Sequence, residues 1–501
     1  MGVYWTDMDW GSAITYLGST TLKERTVQFG IKDADRLKHL CVLGRSDSGR
    51  GNLLVQMALQ DIERGIGTII LDASGKIAPL LIERIDPSFS NRIVHLDPSS
   101  AEYPYAWNPL DDIRALPKEI QQQYLIALLL SIYQLERSSF VEYIAELLLT
   151  RSDATLVTIH TLVTDEKARE VFFENNEKEK KEFETHLSED QEVLKILEES
   201  GRYIAKDTLV RNLLGQPTSK FQLQKLTEGA IVVVDFSHIK IFPTRMTPLV
   251  RSFTDVARMV GEHLGSPVSL YLHDCLRYLG EDEIDRVFSS KQVAVTVADT
   301  VLQESDRERR EFAISRCGSI ASFTTHPADK AVIERAFYPY ADAEELNRLG
   351  KGELIVALTI DAVRARPFFA KTTQLPEKKH TSYQDLVLEA RNKYTVSRLE
   401  VDALFKKQRG EKEPPRKRDG GGFQDAFRSI MENRAQKMPI DVGKGGSTAK
   451  ASDAKKEPPT RSTEKSAPEK TETEKIDDKK QPDEIPEDTL KKLLYVRPAL
   501  L

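Results

Sequence analysis

Gly44 and Gly49 stand five positions apart in the run Gly-Arg-Ser-Asp-Ser-Gly-Arg-Gly-Asn that spans residues 44–52. That is the glycine spacing of G-x-x-x-x-G-K-[ST], a loop whose backbone N–H groups cradle phosphates at the start of a helix. Two side chains of the pattern differ. Arg50 stands at the lysine position and Gly51 at the hydroxyl position. Arginine keeps the charge but presents a bulky planar fork where the loop uses a compact ammonium. Glycine has no oxygen to offer Mg²⁺. Gly44, Ser48, Gly49, Arg50, Gly51 and Asn52 are therefore the candidate phosphate contacts. The expectation is weak ATP binding through backbone amides and Arg50, with no firm place for Mg²⁺.

Phosphoryl chemistry needs more than the loop. An acid at the end of a nearby strand must support the metal, a polar group must sense the terminal phosphate, and a cation must offset transition-state charge. Two apolar runs end in acids: Ile231-Val-Val-Val-Asp235, and Ser269-Leu-Tyr-Leu-His273-Asp274. Pattern alone prefers Asp235, and the candidate metal ligands are Asp235 and Asp274. Asp72 ends a third run, and reads equally well as a site contact or as a cap for the next turn.

These residues need a scaffold of strand ends. Residues 40–43 read as a strand into the loop, and Leu54, Met57, Ala58 and Ile62 mark one face of a helix after it. Strands at 67–71 and 92–96 flank a helix at 77–85, the alternation of a parallel α/β sheet. Strand signals then vanish, and helical periodicity runs from Pro117 to about Thr208. Strands resume at 231–234, 268–272, 293–298, 319–323 and 354–358. The fold class is α/β with a parallel-rich sheet, interrupted by an all-helical insertion. In chain order the reading is a lead-in at 1–38, a first sheet part at 39–112 and the insertion at 113–208. A second sheet part at 209–376 and a helical segment at 377–408 follow. Residues 409–485 are rich in Lys, Glu, Pro, Gly, Ser and Thr, too polar to form a core, and are expected to be disordered. A terminal segment at 486–501 and an island at 423–434 read as short docking helices.

Composition narrows the class. The formal net charge of −6 gives no global case for nucleic-acid binding. Cys41, Cys275 and Cys317 are far apart and have neither zinc nor disulfide-framework spacing, so they read as buried small hydrophobes in a reducing cytosol. No signal peptide is visible, and the most apolar stretch, 124–135, is too short to span a bilayer.

The order of several short blocks resembles the FtsK/HerA-type ATPases, specifically the TraG/TraD-like coupling proteins of conjugation and type IV secretion. The blocks are Phe29-Gly-Ile-Lys32, Gln60-Asp61-Ile62, Leu71-Asp72-Ala-Ser-Gly75, Leu96-Asp97-Pro98, Asn108-Pro109-Leu110, Val210-Arg-Asn-Leu-Leu-Gly-Gln-Pro217 and Ala365-Arg-Pro-Phe368. The likeness implies a RecA-like P-loop fold. It moves Walker B to residues 270–274, with His273 in the Asp position and Asp274 in the Glu position. It makes Thr300 the polar sensor and places Thr324 where relatives commonly carry an Arg. Departures at Arg50, Gly51, His273, Asp274, Thr300 and Thr324 thus fall on one physical site. The resemblance implies a catalytically degenerate ring subunit or regulator of a DNA-transfer or type IV secretion system. Its partners would be a hexamer, of this chain or with an intact paralogue, and DNA. Its place would be cytoplasmic, at the inner face of the membrane through partners. The alternatives are a divergent active DNA-translocating ATPase and a scaffold that acts through its C-terminal segment.

Overall fold

The computed structural model describes residues 13–408, apart from 175, 240–242, 264, 266, 301–306, 327–329 and 380–381. The tail at 409–485, the docking segments at 423–434 and 486–501, and the basic trio at 416–418 lie outside the described residues.

Thirteen strands are described: β1 (Ile14–Leu22), β2 (Arg25–Lys32), β3 (Leu40–Leu43), β4 (Gly67–Asp72), β5 (Ile93–Leu96), β6 (Ile231–Asp235), β7 (Val268–His273), β8 (Val293–Asp299), β9 (Ser319–Ser322), β10 (Glu353–Ala357), β11 (Thr359–Ile360), β12 (Val363–Arg364) and β13 (Phe368–Thr372). Eleven form one sheet in the order β2-β1-β13-β10-β9-β3-β8-β7-β4-β6-β5, and β11 pairs with β12 in a separate ribbon. From β9 to β5 every pairing is parallel. From β9 to β2 every pairing is antiparallel. This is the RecA-like P-loop arrangement, with one strand, β8, between the loop strand β3 and β7. Each parallel strand reads as an apolar run because both of its faces are covered.

Side-chain alternation assigns the two faces. Cys41, Leu43, Ile69, Leu71, Leu270, Leu272, Val295 and Val297 join one apolar cluster. Leu40, Val42, Ile70, Ile231, Val233, Tyr271 and Ala298 join the other. The helix Arg50–Glu63 packs on the second face, with Leu54, Met57, Ala58 and Ile62 buried there. Between β5 and β6 the described residues hold no strand; helices run from Pro109–Arg114 to Thr208–Leu214. The helical stretch has no core of its own. Its Leu125, Phe140, Phe183 and Leu197 belong to the same cluster as the first sheet face. Trp107 stacks on Phe253 with ring centroids 4.0 Å apart, tying the start of the insertion to the helix Pro243–His263.

Residues 14–32 are more than a lead-in. They form the β1–β2 hairpin that ends the antiparallel side of the sheet, turning at Lys23 and Glu24, both at positive φ. Its register is fixed by burial of Leu17, Phe29 and Ile31 against the second face. Below it, a buried network joins the elements: Arg36 donates to Asp61 at 2.5 and 2.8 Å, Arg64 donates to Asp33 at 2.7 Å, and Tyr271 donates to Asp61 at 2.5 Å. Cys41, Cys275 and Cys317 are all buried and free.

Candidate functional site

In a parallel sheet, ligands settle beyond the carboxyl ends of the strands. Six candidate positions meet that rule: the loop after β3, Asp72 closing β4, Asp235 closing β6, His273 and Asp274 at the end of β7, Thr300 after β8, and Thr324 after β9. Parallel order decides which of them are neighbours.

The loop itself is built as a phosphate cradle. Gly49 is the N-cap of the helix Arg50–Glu63, at φ 119° and ψ −9°, with no side chain to bond the first amides. Those amides have no intrahelical acceptor and point out of the helix start. Gly49 is required by geometry, since a Cβ there would lie 3.0 Å from Cα of Gly352 and 3.1 Å from Phe323. The loop is pinned on both flanks: Arg45 N–H donates to the Thr324 carbonyl at 2.8 Å, and Gly352 N–H donates to the Ser48 carbonyl at 2.8 Å. Lys76 reaches across from the next βα turn and donates to Ser46 Oγ at 2.6 Å. The Ser48 hydroxyl is buried with no hydrogen-bond partner among the described residues.

Arg50 does not extend into solvent. Only 3% of its side chain is exposed, and Nη2 donates to both oxygens of Asp274, at 2.8 and 2.9 Å, and to Thr300 Oγ1 at 3.1 Å. Thr300 donates to Asp274 Oδ1 through its N–H at 3.1 Å and its hydroxyl at 2.8 Å. Arg50 Nε and Nη1 are buried and carry no hydrogen bond among the described residues. Asp274 sits in left-handed backbone at φ 56°, which turns its carboxylate toward the loop helix. Burial raises the Asp274 pKa, but Arg50, then His273 and the Thr300 hydrogen bond, overcome it and hold the carboxyl below its ordinary value. Asp299, one residue before Thr300, is its counterpart. Burial, reinforced by the Asp274 charge, pushes its carboxyl up to about 7. Its Oδ2 accepts from Leu276 N–H at 3.1 Å.

His273 faces the other way. Its Nδ1 is 2.9 Å from Asp72 Oδ1 and 2.9 Å from Ser74 Oγ, and its Nε2 is 3.9 Å from Asp274. Asp72 answers both of its sequence readings at once. It caps the helix Ile77–Ile82 by accepting from Ile77 and Ala78 N–H, at 2.7 and 3.0 Å, and it orients His273. Burial works against its ionised form. The His273 hydrogen bond and charge, then the two helix amides, win and lower its pKa.

The structure therefore brings Arg50, Asp274, Thr300, His273 and Asp72 together; Asp235 stands beside Asp72 on the next strand without a hydrogen bond to this group among the described residues, and Thr324 turns away from it. Asp235 pairs with Asp72 across β6–β4, four strand positions from β3. At roughly 4.8 Å per strand, β6 lies about 19 Å from the loop strand β3. Asp235 instead accepts from Ser237 N–H at 2.9 Å. Of the two strand-end acids, Asp274 is the one that contacts Arg50 of the loop helix. The Thr324 hydroxyl donates to the Leu349 carbonyl at 2.6 Å, away from Arg50. Sequence reasoning missed Asp299 and Lys76. An acid closing the apolar run of β8 was the legible signal for Asp299; Lys76 left none.

The loop residues offer donors suited to a phosphate. The cradle has free helix-start amides and a buried guanidinium with two unpartnered donors. On the metal side, Gly51 has no oxygen, His273 is held by Asp72, and Asp274 is held by Arg50. No cluster of three or more His, Cys, Asp or Glu able to hold a metal occurs among the described residues. No helix among them is long and apolar enough to cross a membrane.

No family model and no curated protein matches the chain. Solved structures do. The bacterial conjugative coupling protein TrwBΔN70, unbound, is 14% identical with a TM-score of 0.46, covering 70% of this chain and 88% of that chain. The plasmid coupling protein TrwB in complex with the ATP analogue ADPNP is 14% identical with a TM-score of 0.49, covering 74% and 98%. VirB4 of Thermoanaerobacter pseudethanolicus is 12% identical with a TM-score of 0.48, covering 73% and 97%.

Proposed function

We propose that this chain is a degenerate ATPase-fold subunit of a DNA-transfer or type IV secretion machine, one that binds nucleotide weakly without Mg²⁺ and does not hydrolyse it. The observation that carries the reading is the Arg50–Asp274–Thr300 knot. The cation meant for phosphate, the acid meant for the attacking water and the sensor hydroxyl hydrogen-bond to one another. Hydrolysis needs all three turned toward the reacting phosphate, and losing one such contact typically costs about 10²–10³ in rate. Gly51 and His273 remove the metal's two usual supports in addition. Such losses are not additive, because groups in one site act as a unit.

What remains suits recognition. The helix-start amides would hold a phosphate, and Nε and Nη1 of Arg50 would gain the acceptors they lack. The ordered sequence blocks from Phe29 to Phe368 are the support for placing the chain among coupling ATPases. A hexamer, a working paralogue and DNA as partners follow from that placement and belong to this proposal.

The test is titration of a fluorescent ATP analogue with Mg²⁺ and with EDTA, beside a phosphate-release assay with DNA present. The expected result is saturable binding of equal strength in both buffers and no turnover above background. Turnover that disappears in Arg50→Ala would establish an active enzyme instead. Absence of saturable binding at millimolar analogue would remove the nucleotide from the proposal.

A further inference from the structure

At the opposite end of the sheet lies a cavity of about 590 Å³, within the size range of small-molecule sites. Val94 of β5 and Ala230, just before β6, line it, which places it at the amino ends of those strands. It is therefore separate from the P-loop, which sits at the carboxyl ends. Four cations border it, Arg92, Lys220, Lys225 and Lys393, against one carboxylate, Glu228. Glu228 accepts from Lys225 at 2.8 and 3.0 Å, so that pair is internally neutral. Arg92, Lys220 and Lys393 form no ion pair among the described residues. Arg92 instead lies over the Phe89 ring at 5.2 Å, and Lys393 over the Tyr394 ring at 4.9 Å. Phe221 and Tyr394, both mostly buried, supply an apolar wall.

A chain of net charge −6 thus gathers three uncompensated cations from three separate segments around one concavity. Like charges so placed repel, and the arrangement is relieved by an anion that reaches all three. We propose that this cavity binds a phosphate-bearing ligand of nucleotide size, either free or as one residue of a single strand. The cations take the phosphates, and the Phe221–Tyr394 wall takes the apolar part. This site is independent of the proposed P-loop function.

The test uses the full chain with three probes: inorganic triphosphate, ATP, and a labelled six-residue oligothymidylate, all in EDTA. Three variants are compared: Lys220→Glu/Lys393→Glu; the same charge change elsewhere, Lys178→Glu/Lys195→Glu; and Arg50→Ala. The expected result is binding of at least one probe that survives Arg50→Ala and the control reversal. In Lys220→Glu/Lys393→Glu that binding weakens about tenfold or more, with a salt dependence shallower by roughly 0.7 per lost phosphate contact. Lys220→Arg/Lys393→Arg should restore it. Preference for the oligothymidylate identifies a strand as the source, and preference for ATP a free nucleotide. The proposal is overturned if no probe saturates, or if all binding vanishes in Arg50→Ala and ignores the lysine reversals. Failure of the P-loop reading would show only in the Arg50→Ala arm.

Discussion

Replacing Asp274 with Asn isolates the interaction that we propose silences the loop. Arg50 is 3% exposed and Asp274 15%, so their pair at 2.8 Å is little screened by solvent. Two unit charges about 4 Å apart attract by roughly 4 kcal/mol at an effective dielectric of about 20. Removing one partner of a buried pair costs about 3–5 kcal/mol, because the other charge is left without compensation. Asn keeps one oxygen for the Thr300 amide and hydroxyl. The expected loss is therefore toward the low end, about 3 kcal/mol at pH 7. The pH sign is fixed. The Asp274 pKa is lowered in the folded state, so its contribution is full above the unfolded value near 4 and is lost as pH falls through the folded value. Urea denaturation should show the variant weaker at pH 7, with the gap closing below about pH 4. Freed of its competitor, Arg50 should bind the ATP analogue more tightly in EDTA, about tenfold for each ~1.4 kcal/mol released. An unchanged urea midpoint at pH 7, a gap indifferent to pH, or unimproved nucleotide affinity would each refute the view that Asp274 holds Arg50 away from phosphate.

Two further predictions concern the same site. The Asp299 carboxyl, pushed up to about 7, is stabilising in its protonated form, so wild-type stability should decline as pH rises from about 4 toward 7. Asp299→Asn keeps an acceptor for Leu276 N–H, and its advantage over wild type should grow across that window and level off above it. A constant offset at all pH values would show that Asp299 does not titrate there. Gly49→Ala forces a Cβ into left-handed backbone and to 3.0 Å from Gly352, and should cost about 1–3 kcal/mol and weaken analogue binding. A urea midpoint matching wild type would mean the loop adopts another conformation in solution.

The sequence by itself determined the strands, the loop and its helix. Apolar runs bounded by turn residues predict β3, β4, β6, β7 and β8 to within a residue or two of where they lie. Local pattern suffices there because a parallel strand covered on both faces must be apolar at every position. The glycine spacing likewise fixes a phosphate-shaped turn, and the missing lysine and hydroxyl are visible without coordinates. In β2 the apolar Val27, Phe29 and Ile31 alternate with other residues, a strand signal that local pattern also carries.

Tertiary structure alone decided which strand ends meet. Asp235 and Asp274 end similar apolar runs, and local pattern prefers Asp235 while the family resemblance prefers Asp274. Pairing of β3 with β8, β8 with β7, β7 with β4 and β4 with β6 sets Asp274 two strands from β3, within reach of Arg50, and Asp235 four strands from it. Only the folded chain shows that Nη2 of Arg50 is engaged from within, because its partners come from residues more than two hundred positions later. A charge in sequence is an open valence; where it is spent depends on which carboxylate the sheet order delivers to it.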